Sequence, residues 1–150
     1  MSGDGVLQFE RVSKWYGRIA ALTDVSFTVA REVVGLVGRN GVGKSTLLLT
    51  IMGYTNVSRG SIRWRGQDIT RLPPHRRALD GLGWVAQERE IFPSLSVEEN
   101  LTVAARPGRW DLKAVYELFP RLNERRLSRG NHLSGGEQQI LATARALMTN

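Results

Sequence analysis

"GLVGRNGVGKSTLLLTIMG" occupies residues 35–53, and its glycines at 35, 38, 41 and 43 run directly into Lys44 and Ser45. The leucines and isoleucine that follow suit a buried helix, and Gly53 is where that helix should stop. Ahead of the glycines, "EVVGLVG" (32–38) is a short, β-branched, nearly continuous apolar run. That pattern predicts a central strand covered on both faces. Gly38-Arg39-Asn40-Gly41-Val42-Gly43-Lys44-Ser45 fits the spacing of a phosphate-binding loop. Small residues let successive backbone N–H groups curl around an anion, and the helix start adds unpaired N–H groups and its positive dipole end. Lys44 is then placed to reach the β- and γ-phosphates of a nucleotide, and the Ser45 hydroxyl to ligate Mg²⁺.

Outward from this loop, apolar and polar residues alternate over Leu7–Lys14 and Leu22–Val29, which predicts two half-buried strands. "GSIRWRG" (60–66) and "LGWVAQ" (82–87) read as further short strands. After Gln87 the texture becomes helical. Ser96 with Glu99 forms a capping pair ahead of "VEENLTVAA". "DLKAVYELF" (111–119) sets Leu112, Val115, Leu118 and Phe119 on one side, with Pro120 ending it. "GEQQILATARALM" (136–148) is a third helix.

Composition bounds the function. Apolar content of 41% and charged content of 23% over 150 residues are ordinary for a globular domain. With no cysteine, disulfides and thiolate-bound zinc are excluded. "MSGDGVLQFE" lacks the basic and apolar regions of a signal peptide, and no apolar stretch approaches the roughly 20 residues of a membrane span. The net charge of +7 comes from scattered arginines without interleaved aromatics, so no base-stacking platform is implied.

"HLSGGEQQ" (132–139) is a second helix start shaped for an anion: Ser134 and Glu137 make the capping pair, and Gly135-Gly136 leave the first-turn N–H groups accessible. Each such glycine costs about 1 kcal/mol against alanine. Together, "GRNGVGKST", Gln87 and "LSGGEQQ" resemble the ATP-binding subunit of an ABC transporter over essentially the whole chain.

The resemblance implies an α/β P-loop NTPase core of ABC type. Residues 1–87 would form a β-rich nucleotide-binding part with an antiparallel subdomain, 88–135 a helical subdomain, and 136–150 a helix returning to the core. It implies that Tyr16 stacks on adenine, with Trp15 the competing aromatic, and that Gly38, Asn40, Gly41, Val42, Gly43, Lys44, Ser45 and Thr46 hold the phosphates. Gln87 would touch Mg²⁺ and the attacking water. Ser134, Gly135 and Gly136 would grip the γ-phosphate of an ATP bound to a second subunit in a head-to-tail dimer.

"EREIFPSLSVEENL" (88–101), "LPPHRRALDGLGWV" (72–85) and "RALMTN" (145–150) are most similar to ATPases of branched-chain amino acid importers, with urea-importer ATPases the near alternative. Glu88 and Arg31 depart from the glycines usual at those places. The implied partners are ATP, Mg²⁺, membrane permease subunits and a second ATPase subunit. The place is the cytoplasmic face of the cell membrane, with membrane contact only through the permease. A soluble ABC-type ATPase acting on nucleic acid or in translation is disfavoured, because only 46 residues separate Gln87 from Ser134, without heptads or cysteines.

The resemblance also calls for an apolar strand ending in Asp-Glu, followed by a histidine. No such strand occurs here, and His75 and His132 precede the histidine's expected place. The expectation is therefore a truncated piece of a longer ATPase, lacking the C-terminal part of the core, which binds phosphate but hydrolyses ATP slowly or not at all.

Overall fold

A computed structural model describes residues 6–88 and 90–150. Met1–Gly5, where the absence of a signal peptide was read, and Arg89 lie outside the described residues. The chain divides into two compact units, Met1–Leu82 and Gly83–Asn150.

The first unit is built on an antiparallel sheet in the order β2-β1-β3-β4, with β1 Leu7–Tyr16, β2 Ile19–Val29, β3 Arg59–Trp64 and β4 Gln67–Asp68. Both predicted N-terminal strands form, each longer toward the turn at residues 17–18 than the alternation indicated. Alternation places Leu7 and Phe9 on the buried face; Phe9 pairs with Phe27 on one side and Ile62 on the other. The Phe9 and Phe27 rings stack at 4.6 Å. The β1–β2 register then slips, with Arg11 at φ 44° and Asp24 at φ 50°. Side chains hold the slipped ladder: the Arg11 N–H donates to Ser26 Oγ at 2.8 Å and the Asp24 N–H to Ser13 Oγ at 2.9 Å. Helix α1 (Lys44–Met52) adds Leu47 to this core, and Val12, Leu22, Ile62 and Ile69 complete it. A short helix α2 (Pro74–Leu79) follows, with proline in its first turn, where a missing N–H costs nothing.

Two predicted strands do not form. Residues 32–38 and 82–87 carry neither strand nor helix, and neither segment joins the sheet. Val33, Val34, Leu36 and Val37 are exposed, Val33 fully. A parallel central strand exists only through its neighbours, which take up its N–H and C=O groups and cover its faces. Among the described residues neither run has such a neighbour, so β-branched composition alone does not make it a strand.

The second unit is helical: α3 Val97–Thr102, α4 Leu112–Leu118, α5 Pro120–Glu124 and α6 Gly135–Leu147, with a 3₁₀ turn at Gly130–His132. Its core joins Val97, Leu101, Val115, Leu122, Leu133, Leu141, Ala144 and Met148. The capping box at Ser96 and Glu99 is present with both hydrogen bonds. Asp111 caps α4 by accepting from the Ala114 N–H at 2.8 Å. Tyr116 donates to Glu98 at 3.0 Å, and burial followed by that bond pushes its pKa up to about 12. Leu118 departs from the predicted apolar side and is exposed. Pro120 does more than end α4, since it opens α5.

Candidate functional site

The glycine loop meets α1 where the sequence placed it. Gly43 is the N-cap, left-handed at φ 99°, and no side chain caps the helix. The first-turn N–H groups are therefore left for another acceptor. The junction is seated on β2: a β-carbon at Gly43 would lie 2.4 Å from the Ala21 carbonyl oxygen and 3.3 Å from Leu22. Gly38, Asn40, Gly41, Val42 and Ser45 are exposed, Thr46 is half-buried, and a β-carbon on Gly41 would meet nothing within 4 Å. The Lys44 ammonium donates to the carbonyls of Gly38 and Arg39, the latter at 2.7 Å. A cation, free N–H groups and an exposed hydroxyl at one helix start form a donor set that fits a polyphosphate with its metal.

Tyr16 ends β1 opposite Ile19, while Trp15 faces Ala20 and Lys14 faces Leu22. The tyrosine thus stands at the same hairpin end on which Gly43 rests. Tyr16 as a whole is 47% exposed, its hydroxyl donates to Thr55 Oγ1 at 3.3 Å, and the Lys14 ammonium lies 4.8 Å from the ring centroid. Trp15 is half-buried, with the Arg59 guanidinium over its ring at 5.6 Å. Of the two aromatics, Tyr16 presents more surface.

Gln87, Ser134, Gly135 and Gly136 belong to the second unit. Gln87 does not end a strand; it is exposed in a turn because the run before it is irregular. With Glu88, Glu90, Ile91, Pro93, Asn131 and Gln138 it lines an open cleft of about 540 Å³. Ser134 caps α6 reciprocally: its Oγ accepts from the Glu137 N–H at 3.2 Å, and its own N–H donates to Glu137 Oε2 at 2.8 Å. These bonds to Ser134, helped by Arg121, hold the Glu137 carboxyl below the usual glutamate range. Arg121 reaches it at 3.3 Å, placing a positive charge beside the carboxylate at this helix start. Ser134, Gly135 and Gly136 are exposed, and a β-carbon on Gly136 would meet nothing within 4 Å. Packing therefore gives no reason for that glycine.

Two structural residues were not legible beforehand. Asn100 is fully buried and organises the loop before α3. Its Oδ1 accepts from the Phe92 N–H at 2.8 Å, and its Nδ2 donates to the carbonyls of Phe92, Leu95 and Ser96. Arg77, also buried, caps the far end of α1. In the stretch between Gln87 and α3, Ile91 packs on the helical core, Leu95 is half-buried and Phe92 is exposed under Arg145. Among the described residues no three His, Cys, Asp or Glu side chains gather as a metal cluster, and no helix is long and apolar enough to cross a membrane.

Residues 22–150 match the model of the family described as ABC transporter. The high-affinity branched-chain amino acid transport ATP-binding protein BraG of Pseudomonas aeruginosa is 44% identical over 150 residues, covering 96% of this chain and 64% of that protein. The probable branched-chain amino acid transport ATP-binding protein LivF of Archaeoglobus fulgidus is 36% identical over 149 residues, covering 95% and 63%. The chain thus spans just under two thirds of these relatives. Among solved structures, a nucleotide-free ATP-binding cassette from an ABC transporter superposes with a TM-score of 0.81 at 27% identity, covering 97% of this chain and 66% of that one. With the glycine loop at the start of α1, the antiparallel sheet and the capped α6 in place, the chain belongs to the ABC transporter family.

Proposed function

We propose that this chain is the ATP-binding part of an ABC importer ATPase, coupling ATP binding and hydrolysis to uptake of a small solute, with branched-chain amino acids as the solute. The observation that carries the nucleotide reading is the uncapped start of α1, where Gly43 leaves first-turn N–H groups without a side-chain acceptor beside Lys44 and Ser45. Residues 38–46 hold the phosphates and Tyr16 supports adenine. Mg²⁺, when bound, neutralises phosphate charge. The exposed Ser45 hydroxyl offers it a ligand at the same helix start.

For Gln87, as a ligand of Mg²⁺ and a contact of the attacking water, the support is its place between the two glycine motifs. For Ser134, Gly135 and Gly136, as a grip on the γ-phosphate of a second ATPase subunit, the support is an exposed helix start whose Gly136 no packing requires. The solute assignment draws on BraG and LivF, both named for branched-chain amino acid transport. Permease subunits would recruit the protein to the cytoplasmic face of the membrane.

Calorimetric titration with MgATP tests the nucleotide reading. Micromolar binding that Lys44→Ala abolishes supports it, and a wild-type chain that takes up no ATP refutes it. The importer reading predicts co-purification with branched-chain amino acid permease subunits; selective capture by urea-permease subunits would overturn the solute.

A further inference from the structure

Arg77 is the largest fully buried side chain among the described residues, with 2% of its surface exposed. Arginines that enter a core usually bring a carboxylate with them. The ion pairs among the described residues, Arg121–Glu124 and Arg121–Glu137, do not include this one. Main-chain carbonyls take the guanidinium instead. Nε donates to Leu72 at 2.8 Å, NH1 to Thr50 at 2.8 Å and Ile51 at 2.7 Å, and NH2 to Thr70 at 3.1 Å. Gly53 makes room for it: a β-carbon there, on a backbone at φ 80°, would lie 2.8 Å from Nε.

Thr50 and Ile51 lie in the last turn of α1, where a helix leaves carbonyls unsatisfied and carries its partial negative charge. Eight steps at the usual rise put the last residue of α1 about 12 Å from Lys44. A buried charge at that distance is screened much less than one in water.

We propose that Arg77 is a positioning residue of the nucleotide site: it clamps the C-terminal end of α1 and adds a buried positive charge on the axis of the helix whose other end receives the phosphates. This rests on the reading of residues 38–46 as a triphosphate site. A clamp alone would serve any bound nucleotide equally. A charge on the helix axis favours ligands in proportion to their phosphate charge, and this separates the two roles.

The test measures affinities of the 150-residue chain for metal-free ATP, ADP and AMP, in the presence of a chelator so that no Mg²⁺ offsets the phosphate charge, in the wild type, Arg77→Met and Arg77→Lys. Arg77→Met is expected to weaken ATP about tenfold, ADP less, and AMP by about twofold or less. Arg77→Lys, which keeps the charge but not the planar fork, should recover most of the difference between ATP and AMP. Equal losses for all three ligands, or no recovery by lysine, overturn the proposal in favour of a purely structural arginine. If Arg77→Met does not fold, amide exchange in the wild type decides. Metal-free ATP should slow exchange over residues 49–53 and 77–80 more than AMP does, and equal protection by both overturns the proposal. Lys44→Ala serves as the control for the underlying reading. Should the wild type bind no ATP, or Lys44→Ala bind it unchanged, the triphosphate reading fails and takes this proposal with it. If ATP binding depends on Lys44 but not on Arg77, only the proposal fails.

Discussion

Gly43 rests on the carbonyl of Ala21: a β-carbon would come within 2.4 Å of that oxygen, and the backbone at φ 99° already disfavours any other residue. One contact thereby joins the glycine loop to the strand that pairs with the Tyr16 end of β1. Gly43→Ala combines left-handed strain with a main-chain clash. Its expected cost is about 2–4 kcal/mol, read from urea unfolding midpoints. MgATP affinity should fall at the same time. A variant of wild-type stability would show that the loop is not seated on β2.

Tyr16 is the proposed support of the adenine, with Trp15 the competing aromatic. Because Tyr16 is the more exposed ring and Trp15 carries Arg59, Tyr16→Ala should weaken ATP binding by about tenfold, within the usual range for loss of a stacked base. Tyr16→Phe should keep the affinity, and Trp15→Ala should act mainly on stability. Calorimetry on the three variants checks this. A larger loss for Trp15→Ala than for Tyr16→Ala would transfer the role.

The two capping boxes predict a pH dependence with a definite sign. The Glu99 and Glu137 carboxyls lie below their ordinary value of 4.5, chiefly through backbone bonds from Ser96 and Ser134. Groups depressed in the folded state favour folding when ionised. Their contribution is present above pH 4.5 and fades as pH falls through the lowered values. The thermal midpoint should therefore drop below pH 4.5, and a Glu99→Gln, Glu137→Gln double variant should show a flatter profile. Ser134→Ala, which removes one cap, should cost about 1 kcal/mol near neutral pH.

Asn100 ties residues 92–96 to α3 with one accepted and three donated hydrogen bonds. Asn100→Leu removes the acceptor of the Phe92 N–H, at a cost of about 1–3 kcal/mol, while the carbonyls of Phe92, Leu95 and Ser96 keep the N–H donors of Leu95, Gly130 and Asn100. Amide exchange at Phe92 should rise by at least tenfold. An unchanged rate would mean that Asn100 does not hold the loop.

Within these 150 residues no apolar strand ends in Asp-Glu, so no candidate carboxylate follows such a strand to polarise the attacking water. The chain alone is expected to bind MgATP but to release phosphate at close to the uncatalysed rate in a coupled phosphate assay. Rapid turnover abolished by Lys44→Ala would show that other residues of this chain polarise the water.

What the amino-acid sequence determined by itself was local. The glycine loop with its helix, the Ser96–Glu99 and Ser134–Glu137 caps, and the alternating strands of the antiparallel hairpin each depend on neighbours a few residues apart. Short-range sterics and hydrogen bonds are enough to specify them. Tertiary structure decided whatever needs a distant partner. "VVGLV" and "LGWV" have strand composition, yet without flanking strands among the described residues their backbones stay irregular. Arg77 and Asn100 look like ordinary surface residues in the sequence. Each is buried because main-chain carbonyls, contributed by segments up to 27 residues away for Arg77, converge on it. A buried polar side chain is tolerated only where the fold has gathered its hydrogen-bond partners, and periodicity carries no record of that convergence.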